Sequence, residues 1–153
     1  MTTIHRQAQV TPVVQAAAYA IGTSIGGLLA FPNVCPASGA SAIVQGATVT
    51  FASGVVPPMD LVLFSATPTG GGLTDRAAVV IANVDLPKVV GVLHLTDATL
   101  LGATSPSIMQ TTAAVMPFRL SSGSSLYGVL IARGGVTLGA VTDALVSLNV
   151  LME

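Results

Sequence analysis

The chain has 153 residues, of which 52% are apolar and only 7% are charged, and its net charge is −1 at pH 7. An ordinary soluble domain carries about 25% charged residues, so this composition excludes a broad surface of hydrated charges. The length predicts a single domain over residues 1–153, and the five Lys and Arg residues are too few for a nucleic-acid interface.

The first segment, Met1 to Gln9, precedes any hydrophobic pattern and is rich in polar side chains. We interpret it as an extended arm that is loose or bound to a partner. Its position makes four of its residues candidate contacts with that partner: Ile4, His5, Arg6 and Gln7.

From Gln7 to Met59 the chain carries no charged side chain. Within this stretch, Val13 to Phe31 is long enough to cross a bilayer as a helix. It contains Gln15 and several glycines, however, and the segments around it alternate with a period of two, which favours β-strands. We therefore expect no membrane partner, and we interpret the stretch as neutral β surface that lies against other protein copies.

Ser41 to Ala52 has the clearest strand pattern. Its alternation predicts one face with Ile43, Ala47, Val49 and Phe51, and another with Val44, Gly46, Thr48 and Thr50. Because Thr is favoured on half-exposed strands, we interpret the second face as the outer one. Thr48 and Thr50 are therefore candidate partner contacts.

Further apolar runs bounded by Pro, Gly and Ser turns also predict strands. They are Met59 to Ala66, Val89 to Thr96, Leu126 to Arg133 and Thr142 to Met152. With the remaining runs they give roughly eight strands, spaced as in sandwiches and barrels. The predicted fold class is all-β: a single-domain β-sandwich or β-barrel, jelly-roll-like, with at most one short helix.

Thr74 to Val84 is the helix candidate. Thr74 or Asp75 is a suitable N-cap, and Pro87 stops the helix soon after its end. The same segment is equally compatible with a strand, because Val79, Val80 and Ile81 are β-branched and such residues favour strands.

One catalytic pattern occurs in the chain. Gly22 to Gly26 matches G-x-S-x-G, which makes Ser24 a candidate nucleophile, with His94 as the base. The acid would be one of Asp60, Asp75 and Asp85. No helix pattern follows Gly26, so we predict a non-enzymatic protein, and a small Ser hydrolase is the lesser alternative. The lone Cys and two His are too far apart to predict a metal site, and no cofactor motif is present.

Only one part of the sequence is rich in charged residues, and it contains Asp75, Arg76, Asp85 and Lys88. This group is either a solvated edge or a set of salt bridges between subunits, and Asp75 and Arg76 are candidate interface residues. Arg133 ends an apolar strand beside two glycines. Arg133 either caps the end of the strand or binds a partner carboxylate bidentately, through two N–H groups of its guanidinium.

Three parts of the sequence, in this order, resemble the head decoration (capsid cement) proteins of tailed bacteriophages. They are Ala18 to Phe31, Pro58 to Phe64, and Leu126 to Gly134 with the following strand Leu145 to Met152. The likeness covers most of the chain.

The resemblance implies a compact β module without catalytic residues. Such a module sits on the outer surface of the capsid, binds the major capsid protein and clamps neighbouring capsomers, often as a homotrimer near local three-fold axes. It implies a location on the virion after assembly in the host cytoplasm. A tail or baseplate structural component is the alternative within the same class.

Overall fold

The computed structural model describes residues 4–36, 39–111 and 114–152. Within them the chain forms twelve β-strands and one 3-10 helix, which confirms the predicted all-β class. The strands are β1 (Ile4–Val10), β2 (Ala18–Tyr19), β3 (Ser24–Phe31), β4 (Ser41–Phe51), β5 (Met59–Phe64), β6 (Val89–Leu95), β7 (Asp97–Leu100), β8 (Ser107–Gln110), β9 (Met116–Arg119), β10 (Leu126–Ala132), β11 (Val136–Thr137) and β12 (Ala144–Met152), and the 3-10 helix is Asn83–Lys88.

Two antiparallel sheets form a sandwich. The larger sheet has the order β1-β12-β4-β8-β7, with β9 paired to the other half of β4, and the smaller sheet has the order β3-β10-β5-β6. Numbering β1, β3, β4, β5, β6, β8, β10 and β12 from one to eight gives the orders 1-8-3-6 and 2-7-4-5. This is the strand arrangement of a jelly roll, so the predicted jelly-roll-like sandwich is confirmed.

The main core lies between the two sheets. On β12, alternate residues from Ala144 to Met152 are buried, as the sequence pattern predicts. The strand β5 is instead buried on both faces, which explains its unbroken apolar run. Its second face belongs to a smaller apolar cluster, formed by Val62, Phe64, Val129 and Ile131.

Residues 65–88, the covering segment, lie over this second cluster. Leu73, Val79 and Ile81 of the segment pack against it. The segment is also bonded to the edge of the smaller sheet, where Ser24 N donates to Ala77 O at 2.9 Å. The outer side of the smaller sheet is therefore largely occupied by the chain itself.

The helix considered for Thr74 to Val84 is wrong. Arg76 has a positive φ of 64°, which interrupts any helix, and Ala78 forms a β-bridge with Thr23. Backbone bonds to β3 and the packing of Val79 favour an extended path over the local helix signal. The short helix is the 3-10 turn Asn83–Lys88, later in the chain than predicted.

Asp85 holds the beginning of the covering segment. Its side chain is buried and accepts hydrogen bonds from Thr69 N at 2.9 Å, Gly70 N at 2.7 Å and Lys88 Nζ at 2.8 Å. The Lys88 ammonium, with the bonds from Thr69 and Gly70, lowers the pKa of Asp85 to about 2, although burial acts in the opposite direction. The ionised carboxylate is therefore the form that stabilises the fold.

We expect the protein to lose stability in acid because of this carboxylate. The folded pKa of about 2 lies below the ordinary Asp value, so the contribution is complete above about pH 4 and disappears as the pH falls towards about 2. Urea unfolding measured across this window should show the fall for the wild type and a flatter profile for Asp85→Asn. Identical pH profiles for the two proteins would contradict the assignment.

The strand β4 contains a bulge that the alternation pattern did not reveal. Val44 pairs with Val150, but the next pair on β12 joins Asn149 to Gly46, so Gln45 is an extra residue. An extra residue reverses the faces of the strand. Ala42 and Val44 are consequently buried and Ile43 is half-buried, which corrects the predicted faces at these positions, whereas Thr48 and Thr50 are on the predicted outer side.

The loose arm interpreted from Met1 to Gln9 is corrected for the residues that the structure describes. Ile4 to Val10 is extended but is a strand of the larger sheet, paired along its whole length with β12. The pattern was hidden because this strand is at the sheet edge and only Ala8 is buried. Met1 to Thr3 lie outside the described residues.

Candidate partner-binding surfaces

The outer face of the larger sheet, meaning the side chains that point away from the core, carries a polar row. The row takes one residue from each strand, in the order Gln9, Ser147, Thr48, Gln110 and Asp97. Gln9 Nε2 donates to Ser147 Oγ at 3.2 Å, and Gln110 Nε2 donates to Asp97 Oδ2 at 3.1 Å. The one charge in the row is at the edge, so the centre of this face is neutral.

A second row on the outer face is more apolar. Its members are Leu145, Thr50, Ile108 and Thr99. Thr50 also lines an open, mainly apolar cleft of about 430 Å³ together with Leu145 and Leu101, and Leu101 is 58% exposed. Thr48 and Thr50 therefore lie on one continuous surface that combines neutral polar groups with exposed apolar ones.

The edge strand β1 borders this face. The side chains of Ile4, His5, Arg6 and Gln7 are all exposed. His5, Arg6 and Gln7 line a polar cleft of about 480 Å³, whose other side is formed by Gln45, Asn149 and Val150. No ion pair joins Arg6 to another residue in the described ranges. The four candidate residues thus form one neighbourhood next to the outer face.

Asp75 is used inside the chain. Its carboxylate accepts hydrogen bonds from Tyr19 Oη at 2.8 Å and from Gly26 N at 2.7 Å, which ties the covering segment to β3. Burial, with the hydrogen bond to Asp75, raises the pKa of Tyr19 to about 12. Arg76 is exposed, donates to Gln15 Oε1 at 3.2 Å and lies 6.0 Å from the centre of the Tyr19 ring. A salt bridge between subunits would have to use Arg76, and that role stays a prediction.

Arg133 belongs to a charged cluster that the sequence did not reveal. Its Nε donates to Asp60 Oδ2 at 2.5 Å, and His94 Nδ1 lies 2.6 Å from Asp60 Oδ1. Burial alone would raise the pKa of Asp60, but the bonds from His94 and Arg133 outweigh it and lower that pKa. The Arg133 side chain is 46% exposed, and its contact with a partner carboxylate stays a prediction.

The same cluster contains the acid and base of the Ser hydrolase alternative, but not its nucleophile. In the smaller sheet Ser24, Ile131, Asp60 and His94 lie in one row across β3, β10, β5 and β6. Three strand spacings, about 14 Å, separate Ser24 from His94, too far for a hydrogen bond. Ser24 is fully buried and its hydroxyl donates to Thr74 O at 2.5 Å. The G-x-S-x-G pattern here is a structural edge strand.

The candidate residues therefore occupy three places. Ile4 to Gln7, Thr48 and Thr50 share the larger sheet, Asp75 and Arg76 lie in the covering segment, and Arg133 follows β10. The cluster of Asp60, His94 and Arg133 was missed because its members are 34 and 73 positions apart. Only their separate polar character within apolar strands could have drawn attention to them.

Neither a metal-ligand cluster nor a membrane-spanning helix is formed by residues 4–36, 39–111 and 114–152. No group of three or more His, Cys, Asp or Glu residues in those ranges is arranged to hold a metal ion. No helix formed by the same residues has the length and apolar character needed to span a membrane.

Comparisons with known proteins give weak likenesses. No family model matches the chain, and neither does any curated protein. A chain in a solved structure of Desmodium yellow mottle tymovirus is similar over 99% of this chain and 86% of that one, with 9% identity and a TM-score of 0.29. A chain in a cryo-EM structure of Mud Crab Dicistrovirus is similar over 99% and 67%, with 10% identity and a TM-score of 0.26.

Proposed function

We propose that this protein is a non-enzymatic structural component of a virion, which binds the outer surface of a phage capsid and stabilises the contacts between capsomers. Its partner is the major capsid protein, and it also associates with itself. The observation that carries the proposal is the outer face of the larger sheet, a broad β surface whose centre is neutral.

The physical argument concerns desolvation. Charged groups are costly to remove from water, whereas Thr, Ser, Gln and aliphatic side chains can be buried at a permanent interface with little penalty. On the outer face, Thr48, Thr50 and Leu145 are half-buried before any partner binds. The nearby cleft adds the exposed Leu101. This surface suits many shallow contacts with a capsid lattice better than recognition of a charged ligand.

The fold supports the proposal by analogy. Jelly rolls are common in viral capsid domains, although lectins and cupins share the architecture, so the fold alone does not specify a function. The resemblance of the sequence to phage decoration proteins supplies the more specific argument. The separation of Ser24 from His94 removes the geometry that the hydrolase alternative requires.

Charged substitutions on the outer face test this function. We expect Thr48→Lys and Thr50→Lys to weaken binding to undecorated phage heads about ten-fold or more, because each buries a lysine at the interface. Binding is measured by co-sedimentation with heads. The wild type should raise the melting temperature of the heads, and the two variants should not. Both variants should retain the wild-type urea midpoint, because a lysine can extend from these half-buried positions into water.

The matched control is Thr74→Lys. Thr74 is exposed in the covering segment on the opposite side of the sandwich, so the same change there should leave head binding intact. The capsid proposal would be wrong if the wild-type protein neither bound heads nor raised their melting temperature. Equal losses in all three variants would show that the outer face is not the binding surface.

A further inference from the structure

The edge strands of the two sheets, which are β1, β7 and β9 in the larger sheet and β3 and β6 in the smaller one, are protected to very different degrees. The outer edge of β3 is bonded to the covering segment, since Arg76 N donates to Ser24 O and Leu28 N to Leu73 O, each at 2.9 Å. Beside β6, Met116 packs so closely on Gly91 that a Cβ there would lie 2.6 Å from Met116 Cε. The edge strands β7 and β9 have only four residues each, and β9 contains Pro117, which limits their pairing with another strand.

The strand β1 has no comparable protection. It is seven residues long, lies at the sheet edge and contains no Pro, Gly, Lys or acidic residue. Beyond its pairing with β12, none of the described residues makes a backbone hydrogen bond to it. Alternate N–H and C=O groups of β1 therefore point outwards with no partner strand. Such an edge is a template for another strand.

The sequence of β1 fits a second copy of itself in one register. In an antiparallel pair, opposite residues share a face, so two-fold symmetry places one residue opposite its own copy. Pairing all of Ile4–Val10 puts the middle residue, Gln7, on the axis. Arg6 then lies opposite Ala8, and His5 opposite Gln9, so no like charges meet. A register centred on Arg6 would place two guanidinium groups against each other, which is unfavourable.

We propose that two copies of this chain pair through the outer edges of their β1 strands, antiparallel about a two-fold axis at Gln7. The two larger sheets then form one continuous sheet, and their neutral outer faces form one wider surface. The inference goes beyond the proposed function and does not depend on it, because it concerns the chain in the absence of capsids. Its two-fold dimer differs from the trimer that the resemblance implies.

The exposure of Ile4 supports the same contact. Ile4 is 53% exposed although it shares a face with Ala8, which is only 4% exposed. In the proposed register, Ile4 lies directly opposite Val10 of the partner subunit, where side chains are about 5 Å apart. This contact occurs twice in each dimer, and it gives the exposed part of Ile4 a second apolar neighbour in addition to Met152, which lies opposite Ile4 on β12.

The test is the oligomeric state of purified protein, measured by size-exclusion chromatography with light scattering. We expect the wild type to have twice the chain mass of 15.2 kDa. Gln7→Lys and Gln7→Glu each place like charges opposite one another and should raise the dissociation constant at least about ten-fold. An equimolar mixture of the two variants should restore the dimer, because opposite charges then meet.

Gln110→Lys is the matched control, since Gln110 is an exposed strand residue beside Asp97 that never meets its own copy. It should remain dimeric. When a mild oxidant is added to accept the two electrons and two protons of the paired thiols, Gln7→Cys should form a disulfide-linked dimer, because opposed Cα atoms about 4.5–5.5 Å apart can be bridged. Cys35 is buried and should not take part. A monomeric or trimeric wild type, a dimer that tolerates Gln7→Lys, or the absence of cross-linking in Gln7→Cys would overturn the proposal.

Discussion

Replacement of Phe64 by alanine is expected to lower the free energy of unfolding by about 3–5 kcal/mol. Phe64 is fully buried at the end of β5, in the apolar cluster beneath the covering segment. Removing the ring leaves a cavity between the smaller sheet and the residues that cover it, including Leu73 and Ile81. Because domains of this kind are stable by only about 5–15 kcal/mol, the variant should lie near the limit of folding.

Urea unfolding followed by far-ultraviolet circular dichroism measures this loss. Phe64→Leu, which keeps most of the apolar volume, should lose only about 1–2 kcal/mol. Trypsin provides a local readout, because Arg76 lies in the covering segment and cleavage after it should accelerate when the segment opens more often. An unchanged urea midpoint in Phe64→Ala would show that the segment is not held by this cluster.

The second large effect is expected at Gly27, where alanine should cost about 3–4 kcal/mol. Gly27 has a φ of +69°, and a Cβ there would lie 2.6 Å from Leu73 O and 3.2 Å from Asp75 N. These are backbone atoms that cannot rotate away. Leu28 N donates to the same Leu73 oxygen at 2.9 Å, so the clash falls where the covering segment joins β3.

Gly22 offers a matched control for the close approach. Its φ of +83° is similar, but nothing lies within 4 Å of the position of its Cβ. Gly22→Ala should therefore lose only the backbone term, about 1–2 kcal/mol, in the same urea measurement. Equal losses at the two glycines would contradict the role of Gly27 as the point of contact with the covering segment.

The few acidic residues help to explain how a chain so poor in charge is organised. All five Asp side chains accept hydrogen bonds from the chain itself: Asp60, Asp75, Asp85, Asp97 and Asp143. The Asp143 carboxylate, for example, accepts Ser53 N and Gly139 N, each at 2.7 Å. These carboxylates anchor loops and strand ends, and the centre of the outer face is left to neutral groups. This division agrees with the proposed role of that face.

The predicted strands were found where side-chain alternation or an unbroken apolar run was a local property. For β4, β5, β6, β10 and β12, the predicted ranges contain the observed strands. The pattern was insufficient at Gln45, because a bulge changes which residues face the core without changing composition. It was also insufficient at β1, an edge strand with a single buried side chain.

By itself, the sequence determined the all-β class, most strand positions and the neutral outer side chains Thr48 and Thr50, because these follow from the period of the strand. Only the tertiary structure decided that β1 is an unprotected edge, that residues 65–88 cover the smaller sheet, and that Asp60 joins His94 to Arg133. The physical reason is distance along the chain. Strand pairing and the contacts of Asp60 with His94 and Arg133 join residues that are far apart in sequence, and no local pattern records which partner each of them meets.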